Sequence, residues 1–508
     1  MMKKQWRTPI ILGAALVLLA VVWLVSTLVT DAPDSTETTP SLPDVPLIYQ
    51  ARAADVNRIV VENESGRFAL LPVETRENDG TVKINWTVEG YEEYPLAQAT
   101  VNNVANLALI LYGGRIIVED AADLAPFGLE QPQTRMMVEL KNGSTDTISF
   151  GNELASGFFE YAILNGTGPI YSVSSSFVAR ARSAVVDLLD KTALVGIEAD
   201  QLTGLVLERS RDNLRLVASS TYSEAGESYL FAVEHPIVRP GDADRLNALT
   251  SEALNLQAAN FVEINPADLS VYGLTAPRYS IKLIADDRTV TLRIGNNADA
   301  NSFYMISDAV PAVFTVPADT FTTIDTPLVE MIDRLFALKS IWLVDRIKVN
   351  LPGAVFETEI TMEKDQQADD AAALFTLNGK DAKIVSETGR SLFSAFYQRI
   401  IGMLIGGVDL EATPVNTRDG SITFYMGADP DSGTPPKTEV IEFARRDDYT
   451  YYVFINDTYT GFFINEDRTF TSDEIGSEGV VVAYKKLMYA IEHAVDGVFD
   501  TREGYQLN

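Results

Sequence analysis

The sequence predicts an α+β protein: an N-terminal transmembrane helix followed by three related modules, each a largely antiparallel sheet with flanking amphipathic helices. Three observations predict it. A charge-free apolar run occupies Pro9 to Val29. One pattern of strands and turns recurs about every 145 residues. Helical periodicity gathers before and after the strands of each recurrence and does not alternate with each strand.

At 508 residues the chain has room for about three domains. With 46% hydrophobic and 22% charged residues, most of it can bury a core. Residues 1–8 form a basic cytoplasmic tail carrying Lys3, Lys4 and Arg7. Residues 9–29 read ILGAALVLLAVVWLV through their centre, and as a helix they span about 30 Å, a bilayer core. Basic residues before the run and Asp31, Asp34, Glu37 and Asp44 after it predict a cytoplasmic N-terminus and an extracytoplasmic bulk. The alternative is a cleaved signal peptide. The run is longer than a signal core, and no small-x-small cleavage site follows it. Residues 30–50 are a Pro/Ser/Thr/acidic linker, whose DAPDSTETTPSLPDVP cannot pack and stays extended.

Module 1 is expected over 51–196, module 2 over 197–340 and a diverged module 3 over 341–500, with a tail at 501–508. The clearest shared mark is a turn: Phe127-Gly128-Leu129 before Pro132, and Tyr272-Gly273-Leu274 before Pro277. Both precede a strand, a polar turn and a second strand, ending at Gly151 and Gly295. Trp86 to Glu89 matches Phe231 to Glu234, and Tyr161 to Leu164 matches Tyr304 to Ser307. Module 3 keeps Phe375 and Tyr452 at these positions, and Phe463 to Phe470 echoes Phe314 to Phe321, but the aromatic-Gly-Leu turn is missing. That favours a structural role for the turn.

Each module is expected to open on a strand (Asn57–Glu62, Leu202–Glu208, Asp345–Val349) rich in Val, Ile and Leu. An amphipathic helix follows, marked by Val101, Val104, Leu107 and Leu111; by Leu246, Leu249, Ala253 and Leu256; and by Leu392, Phe396, Ile400 and Leu404. A strand meander comes next, with turns at Asn142-Gly143, Asn165-Gly166 and Asp286-Asp287. A closing helix is expected in VARARSAVVDLLDKTAL and LVEMIDRLFAL.

Composition narrows the chemistry. The formal charge of -31 lacks the basic footprint nucleic acid requires. Zero cysteines remove disulfides, thiolate metal sites and cysteine nucleophiles. The two histidines, His235 and His493, read as turn and helix-surface residues. No phosphate-binding glycine loop, paired-histidine zinc helix or Gly-x-Ser-x-Gly elbow occurs, so no catalytic, cofactor or metal residue is assigned. The loop Asp429–Gly433 reads as a solvated hairpin tip, with weak calcium binding as the alternative. Phe159, Tyr161, Tyr304, Tyr451 and Tyr452 are candidate partner-binding aromatics, with core packing as the plainer reading.

The anchor together with the repeated Phe127-Gly128-Leu129/Pro132 and Tyr272-Gly273-Leu274/Pro277 turns resembles a bacterial family, domain of unknown function 4340, over most of residues 50–340. The resemblance implies an accessory place beside ABC-type exporters related to gliding-motility transporters, and it carries no catalytic residues. The expected function is a membrane-anchored extracytoplasmic binding or scaffolding protein, held to the membrane by residues 9–29, with a protein partner in an ABC-type or other envelope complex. The alternatives are an envelope hydrolase using paired carboxylates, for which Glu89 and Glu234 recur, or a surface adhesin or structural spacer.

Overall fold

The computed structural model describes residues 46–507 except 77–79, 224–227, 365, 367–371, 415–416 and 430–432. The expected basic tail, the transmembrane run and residues 30–45 of the linker lie outside the described residues, and the end of the expected linker, Leu47–Gln50, is a strand because its backbone pairs with Ile110–Tyr112. No helix among the described residues is long and apolar enough to cross a membrane.

The architecture is sheet-rich α+β, with large antiparallel sheets that share one strand order. The first sheet runs, edge to edge, Val82–Val88, Gly66–Arg76, Val56–Asn63, Thr134–Leu140, Thr145–Glu153, Phe159–Leu164, Ile170–Ser174 and Arg115–Val118. The second runs Arg239–Pro240, Ser228–His235, Leu214–Ser223, Leu202–Arg209, Tyr279–Ala285, Thr289–Asp299, Ser302–Ser307, Val310–Pro317 and Asn260–Ile264. The third runs Lys380–Asp381, Leu374–Leu377, Ala354–Thr361, Val344–Leu351, Gly420–Met426, Lys437–Arg445, Thr450–Ile455, Thr458–Asn465 and Gly407–Val408. In each, two meanders meet at the opening strand, and the strand after the main helix returns to the far edge.

Local chemistry accounts for these elements. Along Val344–Leu351, Ile347, Val349 and Leu351 are buried while Lys348 and Asn350 are exposed, the two-residue period of a half-buried strand. Asn165 and Gly166 take φ of 52° and 66° at the turn where sequence expected them. The main helices are Gln98–Leu109, Ala243–Leu254 and Leu392–Ile401. Asp242 caps the second by accepting from the Arg245 N–H at 2.9 Å, and Ser391 caps the third by accepting from the Ser394 N–H at 3.1 Å. Leu111, Leu256 and Leu404 fall just beyond the helices to which periodicity assigned them.

The expected closing helices are cut short in the first two recurrences. Only Ser175–Ala181 and Leu328–Met331 are α-helical there, whereas Val480–His493 runs 14 residues in the third. Leu194 at the end of the first expected helix, with Val195 and Ile197 just beyond it, and Phe336 and Ala337 within the second lie instead on non-helical straps buried in a sheet core. The straps exchange backbone bonds with the segment after the next main helix: Ala258 N–H donates to Lys191 O and Ile405 N–H to Arg334 O, both at 2.9 Å. Side chains reinforce them, Lys191 Nζ donating to Ala259 O at 2.6 Å and Arg334 Nε to Ile405 O at 2.9 Å. These tertiary bonds satisfy the strap backbone, which then has no need of a helix. The first module has its own strap, Leu47–Gln50, which forms a separate two-stranded antiparallel sheet with Ile110–Tyr112.

A clasp also recurs. Asp190 N–H donates to Pro95 O and Asp333 N–H to Pro240 O, both at 2.8 Å, and Val385 N–H donates to Gly497 O at 3.0 Å. One parity differs from the sequence reading. Phe314 lies opposite Met305, whereas Phe463 lies opposite Tyr452, so Phe462 is the buried counterpart of Phe314.

The chain divides into two compact units. One takes the chain to Glu89 and resumes over Val101–Ser183; the other holds Gly90–Thr100 and everything from Ala184 onward. Within the second unit a single apolar core runs through both of its large sheets.

Candidate functional site

Each aromatic-Gly-Leu turn lies in the connection from the far-edge strand back to the centre of its sheet. Each is a single 3-10 turn stopped by a left-handed glycine, Gly128 at φ 70° and Gly273 at φ 71°. Leu274 is buried with Ile306 and Val313, while their strand neighbours Met305 and Phe314 face the main core. Since successive strand residues point to opposite faces, the turn covers the sheet's second face. Leu129 does the same with Ile163 and Ile170.

The aromatic of each turn meets the repeated tyrosine edge-on. Phe127 and Tyr161 are 5.0 Å apart, and Tyr272 and Tyr304 are 4.9 Å apart. Gly151 and Gly295 complete the joint, because a Cβ at either would stand 2.2 Å from the carbonyl oxygen of Phe127 or Tyr272. The Tyr272 hydroxyl donates to Glu263 at 2.6 Å, and that bond, with burial, pushes the phenol up to about 12. Pro132 is half-buried just ahead of Thr134–Leu140, and Pro277 O accepts from Ser210 Oγ at 2.7 Å.

The third sheet builds its second face differently. Tyr452 stands edge-on to Tyr459 at 5.5 Å, and the Arg446 guanidinium lies 4.3 Å from the Phe463 ring and 3.4 Å from the Asp409 carboxylate. Of the five candidate aromatics, Tyr161 and Tyr304 belong to the turn clusters, Phe159 is partly exposed, and Tyr452 is half-buried in this arginine–aromatic stack. Tyr451 is fully buried against Phe470, so it belongs to the core.

The other singled-out groups are scattered. Glu89 pairs with Arg58 at 3.4 Å, and Glu234 is exposed on Ser228–His235. His235 is exposed at the end of that strand, while His493 stacks on Tyr489 at 4.0 Å and its Nδ1–H donates to Tyr489 O. Of the acidic loop, residues 430–432 lie outside the described residues, and Asp429 N–H donates to Thr434 O at 2.9 Å. No three His, Cys, Asp or Glu residues are grouped to hold a metal ion among the described residues.

A site that sequence reasoning missed lies between helices Leu392–Ile401 and Val480–His493. The first helix buries Phe393, Phe396, Tyr397 and Ile400, which leaves Arg399 on its flank. Glu478, just ahead of the second helix, is 14% exposed and accepts from Lys486 Nζ at 2.7 Å and from Arg399 at 3.2 Å. Burial pushes this carboxyl up, but Lys486 and Arg399 together outweigh burial and hold it below the usual carboxylate range. A cavity of about 180 Å³ beside it is walled by Phe396, Leu487 and Tyr505. A second lobe of about 160 Å³ shares Arg399 and Glu478 and adds Arg468 and Thr469. The residues come from two helices far apart in the chain, and the one local trace is the basic pair Lys485-Lys486 in an acidic protein.

No curated protein matches the chain. A solved structure described as "Crystal structure of the eukaryotic initiation factor" aligns with 85% of this chain and 90% of its own at 9% identity, and its TM-score of 0.08 carries no likeness of fold. The family described as Domain of unknown function (DUF4340) matches residues 86–228 and again 233–377. Each stretch begins within the third strand of one sheet and ends in the third strand of the next. Both aromatic-Gly-Leu turns fall inside these stretches, which together span more than half of the 508 residues, and the chain therefore belongs to the DUF4340 family.

Proposed function

We propose that the protein is a single-pass, membrane-anchored extracytoplasmic scaffold of three copies of one module, acting as an accessory component of an ABC-type exporter or another envelope complex. The observation that carries this reading is the way the chain enters its first module, through a two-stranded sheet. Pro46 O accepts from Gly113 N–H at 2.8 Å, Leu47–Gln50 pairs with Ile110–Tyr112, and Ala51 N–H donates to Leu109 O at 2.8 Å. Pro46 is the last proline of the stretch that the sequence reads as a spacer, which follows the apolar run at residues 9–29.

The diverged third copy is supported by its strand order, its strap and its clasp, each of which recurs where the turn motif does not. Repetition of this kind builds reach and surface, which suit holding a partner beside a transporter. The test is crosslinking in native membranes followed by pull-down of the full-length chain and mass spectrometry. Recovery of a transporter permease and ATPase, lost when residues 50–508 are removed, is the expected result. Recovery of envelope polymer alone, or of no partner, contradicts the accessory role.

A further inference from the structure

We propose that the cleft between helices Leu392–Ile401 and Val480–His493 binds a small anionic amphiphile: a short apolar chain ending in one carboxylate or phosphate, whether a free acid or the phosphate end of a lipid. The inference goes beyond the scaffold reading and does not depend on where the chain is anchored.

The two lobes divide the chemistry. Phe396, Leu487 and Tyr505 give the first an apolar wall. Its volume of about 180 Å³ has room for several waters, which a short alkyl chain displaces favourably from apolar surface. The second lobe is cationic, with Arg399 and Arg468 beside the buried Thr469. Counting Lys486, three cations face one carboxylate, in a chain whose formal charge is -31. Guanidinium groups hold carboxylate and phosphate oxygens through paired N–H bonds.

Glu478 marks the anion's seat. Its carboxylate already bridges Lys486 and Arg399, at 2.7 and 3.2 Å, and does from within the chain what a ligand's anion would do from outside. It sits at the end of a loop in which Gly476 is left-handed (φ 85°) and Ile475 is 93% exposed, the most exposed large apolar side chain among the described residues. Gly476 of this loop lines the apolar lobe. The bound anion takes Arg468 and competes with Glu478 for Arg399, while Lys486 remains with Glu478.

Calorimetric titration of the full-length protein with hexanoate, hexyl phosphate and hexylammonium tests this. One or both anions bind and hexylammonium does not. Glu478→Gln removes the internal competitor and tightens anion binding at least threefold, whereas Arg399→Gln weakens it at least tenfold. Arg468→Gln, at an exposed side chain, serves as the second weakening variant should Arg399→Gln fail to fold. A preference for hexyl phosphate assigns a lipid phosphate, and a preference for hexanoate assigns a free acid. Absence of binding by both anions, equal binding of hexylammonium, or unchanged affinity in folded Glu478→Gln and Arg468→Gln overturns the proposal.

Discussion

Replacing Gly151 by alanine tests the joint between turn and sheet. A Cβ at this position stands 2.2 Å from the Phe127 carbonyl oxygen and 2.9 Å from Leu129 Cγ. The first obstacle is backbone, so it cannot rotate aside, and turn and strand must separate by roughly 1 Å. A gap of that size forfeits a quarter to a half of the dispersion contacts across it, about 1 kcal/mol for a buried leucine such as Leu129. Forcing the extra methyl into a packed joint adds about 2 kcal/mol. The expected loss is about 3 kcal/mol, or a fall of about 10 °C in the melting temperature of a module this size. Trp86, buried in the first sheet, reports it by fluorescence during urea unfolding in a background with Trp6, Trp23 and Trp342 all replaced by Phe. Gly143→Ala is the control: φ is 88° and nothing lies within 4 Å, so only left-handed strain of about 1 kcal/mol applies. If Gly151→Ala costs no more than Gly143→Ala, the close-approach account is wrong.

Two further outcomes follow from buried charge. Glu478 titrates below its unfolded value, so it adds stability above the ordinary carboxylate range and loses it as pH falls through the folded pKa. Wild type and Glu478→Gln therefore differ by about 2 kcal/mol in urea unfolding at pH 7 and converge in acid. The Arg209 guanidinium is buried and donates to Ile324 O and Thr326 O, both at 2.9 Å, as well as to Asp212. Arg209→Met leaves both carbonyls without that donor and lowers stability by about 3 kcal/mol, and Arg209→Lys, which lacks the planar fork, recovers less than half, as read from urea midpoints.

What was legible in the sequence was local or repeated. Opening strands, main helices and hairpin turns carry their own periodicity and turn residues, and the sequence placed Gly128, Gly151, Gly273 and Gly295 as matched positions before their contacts were known. Periodicity misled where a tertiary partner replaced the helix. Leu194 ends one segment expected to be a closing helix, and Phe336 and Ala337 lie in the other, yet both are straps whose carbonyls at Lys191 and Arg334 bind the segment after the next helix. A one-residue shift exchanged Phe462 for Phe463, because strand register changes which face a residue takes. The cleft was invisible, since Arg399, Glu478 and Lys486 meet only once two distant helices pack together.

The central claim is that the folded modules stand outside the membrane that residues 9–29 cross. The chain has no cysteine, so a single introduced one reports without ambiguity. Glu64→Cys, at an exposed hairpin tip, and Gln5→Cys, in the basic tail, are treated with a membrane-impermeant maleimide in right-side-out vesicles. The account predicts labelling of residue 64 in sealed vesicles and of residue 5 only after the membrane is opened. Labelling of residue 5 but not residue 64 in sealed vesicles, or recovery of the chain in the soluble fraction, contradicts it.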